Sequence, residues 1–208
     1  MQLTKLQTLL SNDRIANIIR YSEMVKDMEG DVIEMGCFRC GILELLSQLH
    51  PDKTIFGIDT FSGLPAPTSK DNYHKEGDFK EVEYEAVKGY LRTMHRNVEL
   101  RKGLFADVIP TLDPNKKYRF AHVDADLYQS VKEALDYLYP RMVDGGVILL
   151  DDFKESSTEG ATMATLEFVS YLVKTVSTSK DYSISPRYCT ELTYYGGGPS
   201  HKQYLIIR

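Results

Sequence analysis

The sequence is poor in cysteine, has no long apolar run and carries no excess of positive charge. Its 208 residues include three cysteines, an odd number that argues against a disulfide framework and favours a reducing, cytoplasmic compartment. The net charge of −5 disfavours a nucleic-acid-binding protein. No apolar stretch approaches the ~18 residues needed to cross a membrane, and no basic and apolar leader opens the chain. We therefore expect one globular domain over residues 1–208.

Two of the cysteines, Cys37 and Cys40, form a C-x-x-C pair of the kind found in redox and zinc sites. No second such pair and no histidine pair completes a zinc set in the sequence. We therefore interpret both cysteines as small residues in a tight turn.

The spacing of apolar residues predicts strands and helices in alternation. A short apolar run at 31–35 is followed by apolar residues at helical spacing over 42–49 and by a second run at 54–59. This order is a βαβ unit, which requires a parallel sheet with a right-handed crossover. The alternation continues and predicts strands at 97–101, 119–124 and 147–150, and helices at 82–95, 131–138 and 168–176.

The ends of the chain complete the expected fold. Residues 1–28 have nearly helical spacing and predict an N-terminal helical cap. Residues 182–185 and 203–207 predict two late strands on either side of a glycine-rich turn at 196–199. We expect an α/β fold with a mostly parallel seven-stranded sheet, an antiparallel C-terminal edge strand and helices on both faces. The polar segment 62–80 exceeds the usual ~2–6 residues of such connections and is a candidate lid.

The first two strands end in residues that favour an adenosine-containing cofactor. Glu34, Gly36 and Gly41 give the pattern E-x-G-x-x-x-x-G, in which glycines allow a tight turn and a close approach of the backbone to a ligand. Asp59 ends the second strand, where an acid accepts hydrogen bonds from ribose hydroxyls. These features fit S-adenosylmethionine or a nicotinamide dinucleotide equally.

Two pairs of aspartates follow the fourth and fifth predicted strands. Asp124 and Asp126 end one strand, and Asp151 and Asp152 end the next, so their carboxylates can converge at one edge of the sheet. Converging carboxylates repel each other, and a hard cation such as Mg²⁺ removes that repulsion. Helix capping explains one aspartate at a strand end but not two pairs. The pattern therefore predicts a divalent cation at Asp124, Asp151 and Asp152.

The positions of four further residues suggest their roles. His122 lies within a predicted strand and is interpreted as a packed residue, whereas His74 lies in the long loop, from which it could reach a substrate. Tyr194 and Tyr195 precede the glycine-rich turn, where pocket lining and core packing are equally good interpretations.

Taken together, these segments resemble the macrocin O-methyltransferase family, which methylates sugar hydroxyls in natural-product pathways. The similar segments keep their order from residue 30 to about residue 170. They are G-D-V-I-E-M-G at 30–36, D-T-F-S-G-L-P at 59–65, K-G-L-F at 102–105, H-V-D-A-D-L-Y at 122–128 and G-G-V-I-L-L-D-D-F at 145–153.

The resemblance implies a Rossmann-like class I methyltransferase that binds S-adenosylmethionine and Mg²⁺ or another divalent cation. It implies Asp126 as the general base and Asp124, Asp151 and Asp152 as metal ligands. The implied cofactor-binding residues are Glu34, Gly36, Cys37, Phe38, Gly41, Asp59, Thr60, Phe61, Gly103, Leu104, Phe105 and Asp124. Two features depart from the family: the N-terminal region is short, and the turn after Gly36 lacks the usual Gly pair or Gly-Ser.

Three alternatives share part of this pattern. A nicotinamide-dependent oxidoreductase would use the same first turn and Asp59, although G-x-G-x-x-G is missing. A non-catalytic cofactor-binding subunit would explain the short N-terminal region. A catechol-type O-methyltransferase would use the same metal with an aromatic acceptor. We expect a small-molecule or carbohydrate acceptor, and a homo-oligomer is compatible with the composition.

Overall fold

A computed structural model of the protein describes residues 7–179, 186–192 and 202–208. Its centre is a seven-stranded sheet in the order β3-β2-β1-β4-β5-β7-β6, in which β7 is antiparallel to both of its neighbours and the other pairs are parallel. This confirms the predicted fold class. The strands are β1 (Asp31–Met35), β2 (Ile55–Asp59), β3 (Val98–Lys102), β4 (Tyr118–Val123), β5 (Met142–Phe153), β6 (Tyr188–Leu192) and β7 (Lys202–Ile207).

Helices cover both faces of the sheet. They are α1 (Asn12–Met24), α2 (Gly41–Leu49), α3 (Tyr84–Met94), α4 (Phe105–Val108), α5 (Tyr128–Leu138) and α6 (Glu159–Ser179). One apolar core packs α1, α2 and α3 on one face, and the other packs α4, α5 and α6 on the opposite face. None of the helices in the described ranges combines the length and the apolar character that a membrane crossing requires.

The central strands are buried on both faces, which explains their continuous apolar runs. Neighbouring residues of β4 point to opposite cores: Phe120 packs with α2 and Ala121 with α5. The register pairs Met35 with Val123, and Val123 in turn with Leu150. The carboxyl ends of β1 and β4 are therefore level with Leu150 of β5, which places the residues that follow all three positions at one edge of the sheet.

Several predicted boundaries were wrong. The fifth strand extends from Met142 to Phe153 rather than over 147–150, because Gly145, at φ +82°, and Gly146 continue the strand where apolar spacing stops. The N-terminal segment is not helical throughout, since α1 begins at Asn12 and residues 7–11 before it form no helix.

At the other end of the chain, the strand beside β7 is Tyr188–Leu192, which was not predicted. The predicted strand at 182–185, the turn at 196–199 and both Tyr194 and Tyr195 lie outside the described residues.

A buried polar network joins α1 to the opposite, amino-terminal end of the sheet. Arg119 in β4 is 1% exposed and donates to the Nδ1 atom of His50 at 2.6 Å and to the carbonyl oxygen of Met28 at 3.0 Å. Its guanidinium also pairs with Asp52 at 3.2 Å, and the Ser22 hydroxyl contacts the Nε2 atom of His50. Because the cation is fully desolvated, each of these partners is needed to offset the cost of burying it.

This network makes folding sensitive to pH through His50. Burial and the neighbouring charge of Arg119 lower the pKa of His50 to about 4. In the unfolded chain the histidine pKa is near 6.5, so the unfolded state binds the extra proton as the pH falls from 6.5 towards 4. The contribution of His50 to the free energy of unfolding is therefore fully present above pH 6.5, and about 2 kcal/mol of it is lost by pH 5.

Urea unfolding of the wild type and of His50→Gln at pH 7 and pH 5 checks this expectation. Other titrating groups are common to both proteins and cancel in the difference between their free energies of unfolding. We expect that difference to shift by about 2 kcal/mol against the wild type at pH 5. An equal difference at both pH values would show that His50 does not carry the effect.

Candidate active site

The turn between β1 and α2 is a strained segment that opens towards the carboxyl edge of the sheet. Gly36 has φ +90°, and a Cβ atom there would overlap the carbonyl oxygen of Asp124 and lie 2.7 Å from its carbonyl carbon. Phe38 and Cys40 also have positive φ angles, of 44° and 60°. Both cysteines of the C-x-x-C pair are buried and free, and the Cys40 amide donates to the carbonyl oxygen of Cys37, as expected for a tight turn.

The carboxylate of Asp59 holds this turn in place. Its Oδ2 atom accepts hydrogen bonds from the backbone amides of Cys37 at 2.8 Å and Phe38 at 2.9 Å. Its Oδ1 atom accepts from the amide of Phe61 at 2.7 Å, and the Thr60 hydroxyl lies 3.5 Å away. The Thr60 hydroxyl donates its single hydrogen to the carbonyl oxygen of Gly63 at 2.6 Å, so the three backbone bonds leave one lone pair of the Asp59 carboxylate for a ligand.

A cavity of about 400 Å³ lies at this edge of the sheet. The predicted residues that line it are Glu34, Gly36, Cys37, Phe38, Gly41, Asp59, Thr60, Leu104, Phe105, Asp124, Asp126 and Asp152. Three predicted residues lie outside this lining. Phe61 is buried against Tyr84, Gly103 contributes a backbone amide to the Asp59 carbonyl, and Asp151 lies behind the lining.

Three carboxylates form an acidic cluster beside the cavity. Asp124, Asp151 and Asp152 each offer an oxygen, and these oxygens lie within 4.8 Å of one another. Burial, and then the charge of Asp152, raises the pKa of Asp124 to about 7, and burial also raises the pKa of Asp152. Oxygen donors at this spacing are the set that a hard divalent cation prefers.

Asp151 is held by both α1 and β7. The Nε atom of Arg14 donates to its Oδ1 atom at 2.9 Å, and the terminal nitrogen of the same guanidinium contacts its Oδ2 atom. Gln203 also donates to Oδ1 at 2.7 Å and is itself held by the Asn17 amide at 3.0 Å. The Asp151 side chain is fully buried under these contacts.

Asp126 projects into the cavity from the loop after β4. Its backbone has φ +56° and its amide donates to the Oδ2 atom of Asp152 at 2.8 Å. The Nε2 atom of His74 lies 3.5 Å from its Oδ1 atom. Burial, followed by the charges of Asp152 and Asp124, raises the pKa of Asp126 well above its ordinary value. A carboxylate with a raised pKa is a stronger base, as proton abstraction from a hydroxyl requires.

Glu34 and His122 form a buried pair beneath the cavity. The Oε1 atom of Glu34 lies 3.1 Å from the Nδ1 atom of His122, which is fully buried in β4. Burial raises the pKa of Glu34, whereas burial and the charge of Arg14 lower the pKa of His122 to about 3. The Oε2 atom of Glu34 is buried and accepts no hydrogen bond from the described residues, so it can receive a donor from a ligand.

The candidate lid, residues 62–80, lies across the cavity and is fastened to α5 and α6. Asp71 accepts a hydrogen bond from the Tyr128 amide at the start of α5, at 2.8 Å. Lys70 pairs with Glu167 at 3.1 Å. These contacts place His74 in the cavity wall, where its side chain is 9% exposed.

Sequence reasoning missed the residues that reach the cavity from the N-terminal segment and from α5. The missed lining residues include Gln7, Thr8, Leu9, Leu10, Arg14, Gln129, Ser130 and Glu133. No local pattern marks them. Residues 7–10 lie outside any helix or strand, and the apolar spacing of α1 and α5 indicates only the buried face of each helix.

The sheet order, the strained first turn and the acidic edge define a class I O-methyltransferase fold. The O-methyltransferase NovP has a TM-score of 0.70 at 22% identity, with 97% of this chain and 81% of that chain covered. An O-methyltransferase from Bacillus cereus in complex with SAH has a TM-score of 0.65 at 14% identity, with 96% and 82% covered. Both likenesses establish the fold.

The chain belongs to the macrocin O-methyltransferase family, since the profile described as Macrocin-O-methyltransferase (TylF) matches residues 5–171. Demethyldecarbamoylnovobiocin O-methyltransferase of Streptomyces niveus is 28% identical over 164 residues, which are 70% of this chain and 62% of that protein. Mycinamicin III 3''-O-methyltransferase of Micromonospora griseorubida is 29% identical over 170 residues, 72% of this chain and 66% of that protein. The chain thus spans less than two thirds of these relatives, and the predicted family is confirmed.

Proposed function

We propose that the protein is an S-adenosylmethionine-dependent O-methyltransferase that acts on a sugar hydroxyl with the help of a divalent cation. The observation that carries the proposal is the convergence of two groups on one cavity. The turn at Gly36 and Asp59 forms one wall, and the acidic cluster with Asp126 forms the other. Membership of the macrocin O-methyltransferase family supports this assignment over a nicotinamide-dependent oxidoreductase.

The first wall fits the cofactor. A Cβ atom at Gly41 would lie 2.7 Å from the Thr8 amide, so the turn and the N-terminal segment meet without space for a side chain. The buried Oε2 atom of Glu34 lacks a donor, and Asp59 keeps one free lone pair. An amino group and a ribose hydroxyl are donors of the kind that these two acids need.

The second wall fits a divalent cation. The three clustered carboxylates supply oxygen ligands and an excess of negative charge that a cation would neutralise. Asp124 and Asp152 face the cavity directly, whereas Asp151 is engaged by Arg14. We assign Asp124, Asp151 and Asp152 as the residues that would hold the metal.

In the proposed reaction, the chain positions the acceptor and removes its proton. When bound, S-adenosylmethionine supplies a methyl group activated by its sulfonium sulfur, and a divalent cation makes a bound hydroxyl more acidic. Asp126 accepts the hydroxyl proton as the oxygen–carbon bond forms and the carbon–sulfur bond breaks. The lid excludes water and, with α5, holds the acceptor at reacting distance.

Polar side chains interrupt the mainly apolar lining of the cavity. They carry hydroxyl, amide and carboxylate groups and include Gln129, Ser130, Glu133, Ser157 and Thr158. Such groups hydrogen-bond the hydroxyls of a carbohydrate better than they pack against an aromatic ring. The names of the relatives, which include a 3''-O-methyltransferase of mycinamicin III, support a glycosylated small molecule over a catechol.

Isothermal titration of S-adenosylmethionine, with and without Mg²⁺, tests this function. The wild-type protein is expected to bind both S-adenosylmethionine and Mg²⁺. An Asp151→Asn/Asp152→Asn variant is expected not to bind Mg²⁺. Asp136→Asn, which removes an exposed carboxylate of α5, is the matched control and should bind both as the wild type does. Transfer of a labelled methyl group is then screened over sugar and catechol acceptors. Binding of NADH without binding of S-adenosylmethionine would refute the proposal.

A further inference from the structure

Glu34 and His122 lie side by side on β1 and β4, on the face of the sheet that α2 covers. The register pairs the two residues directly, and they are 2% and 0% exposed. The Nδ1 atom of His122 lies 3.1 Å from the Oε1 atom of Glu34. Glu34 lines the cavity, whereas His122 lies behind the lining. The histidine can therefore act on a bound ligand through the glutamate.

The ring of His122 carries its proton on Nδ1. Its Nε2 atom is buried and has no hydrogen-bond partner among the described residues, and the Oδ1 atom of Asp151 lies 3.8 Å from it, beyond hydrogen-bond distance. A buried N–H group without an acceptor is costly and rare, so the proton belongs on the nitrogen that faces a carboxylate. His122 thus donates to the Oε1 atom of Glu34 and leaves Oε2 as the free acceptor.

The pair of Glu34 and His122 occupies positions that apolar side chains would fill with a smaller loss of stability. Strand β4 is buried along its whole length, and the register places Leu149 beside His122. The Nε2 atom of His122 and the Oε2 atom of Glu34 are both buried without a hydrogen bond from the described residues, which destabilises the fold. Such a loss points to a role in the cavity, where Oε2 gains a donor when a ligand binds.

We propose that His122 is a positioning residue, which fixes the Glu34 carboxylate so that Oε2 accepts a hydrogen bond from the amino group of the cofactor. The inference rests on the cofactor of the proposed function. A carboxylate that is already held at Oε1 loses little side-chain freedom when an ammonium group binds at Oε2, and a hydrogen bond between two charged groups is strong. His122 therefore strengthens the binding of the amino-acid portion of the cofactor and leaves the binding of its adenosine portion unchanged.

Calorimetric titration of the full chain with S-adenosylhomocysteine and with 5′-methylthioadenosine tests this role. Both ligands are thioethers of adenosine, and the first alone carries the amino group. His122→Leu is expected to bind S-adenosylhomocysteine about 10-fold more weakly than the wild type and 5′-methylthioadenosine within about 2-fold of it. His122→Asn is the matched variant, because the asparagine amide can donate from the position of Nδ1, and its affinity for S-adenosylhomocysteine should stay within about 3-fold of the wild type.

Thermal unfolding of the same proteins separates positioning from an effect of packing. Leucine fills the buried position, whereas asparagine leaves part of it empty, so a purely structural role predicts that His122→Leu is the more stable variant and binds more tightly. Positioning predicts the opposite order of affinities. Equal losses for both ligands in His122→Leu, an unchanged affinity of that variant for S-adenosylhomocysteine, or weaker binding by His122→Asn than by His122→Leu would overturn the role of His122. Absence of S-adenosylhomocysteine binding by the wild type would instead refute the cofactor of the proposed function, and the role of His122 with it.

Discussion

Asp126→Asn is expected to lower kcat by about 10²–10⁴-fold, because the asparagine amide cannot accept the proton of the acceptor hydroxyl. Asparagine tolerates the left-handed backbone that Asp126 adopts, at φ +56°. The hydrogen bond from residue 126 to Asp152 is donated by the backbone amide, so the substitution does not remove it. The substitution therefore leaves the loop after β4 in place. The affinity for S-adenosylmethionine should stay within about 2-fold of the wild type, since the lost interaction belongs to the transition state.

The measurement is labelled methyl transfer to the acceptor found in the screen, with cofactor affinity measured by calorimetry on the same protein. Asp136→Asn serves again as the control, because it makes the same chemical change at an exposed position of α5. Full turnover of Asp126→Asn would mean that another group removes the proton. A loss of cofactor affinity as large as the loss of kcat would instead indicate a structural role.

Gly36→Ala is expected to lower the affinity for S-adenosylmethionine by more than about 100-fold and to destabilise the fold by about 2–5 kcal/mol. Two effects combine at this position. An alanine at φ +90° is strained, and its Cβ atom would overlap the backbone of Asp124. Either the turn that Asp59 holds or the start of the acidic loop must move, and both line the same cavity.

Gly89→Ala provides the matched control for this substitution. Gly89 lies on the exposed face of α3, and an added Cβ there meets no atom within 4 Å. Alanine is the better helix former by up to about 1 kcal/mol, so this variant should be slightly stabilised and bind the cofactor normally. Thermal unfolding and calorimetric titration of both variants check the pair. Normal cofactor binding by Gly36→Ala would show that the turn adapts without affecting the site.

The elements that build the site could be predicted because their residues carry a local signal. Strand β1 was predicted with its observed bounds, Asp31–Met35, because this short, mostly apolar run is followed directly by Gly36, which the turn requires. The acidic pairs could be assigned to one edge because the carboxyl ends of parallel strands lie at the same edge of a sheet. In the structure Val123 pairs with Leu150, so the residues after these two positions lie side by side. The spacing of apolar residues and the shared direction of the strands therefore predict both walls of the cavity, the turn at Gly36 with Asp59 and the acidic cluster.

The contacts that complete the site could not be predicted, because each joins residues far apart in sequence. Arg14 reaches Asp151 across 137 positions, and the amide of Tyr128 binds Asp71 across 57. A helical pattern shows which face of α1 is buried but not which side chain at its border turns towards a carboxylate. His74 is a similar case, since a loop histidine becomes part of the cavity only once the loop is fastened to α5 and α6.

The order of the last two strands has a consequence for synthesis on the ribosome. β6 precedes β7 in the chain but lies beyond it in the sheet, and among the described residues it pairs with β7 alone. A nascent chain that has emerged only to residue 192 therefore has β6 without a partner and β5 with one open edge, which includes the apolar run Val147, Ile148, Leu149 and Leu150. An open apolar edge invites pairing with other chains. A pause in translation before residue 202 would prolong this exposure, and chaperones that bind extended apolar segments would act in that interval.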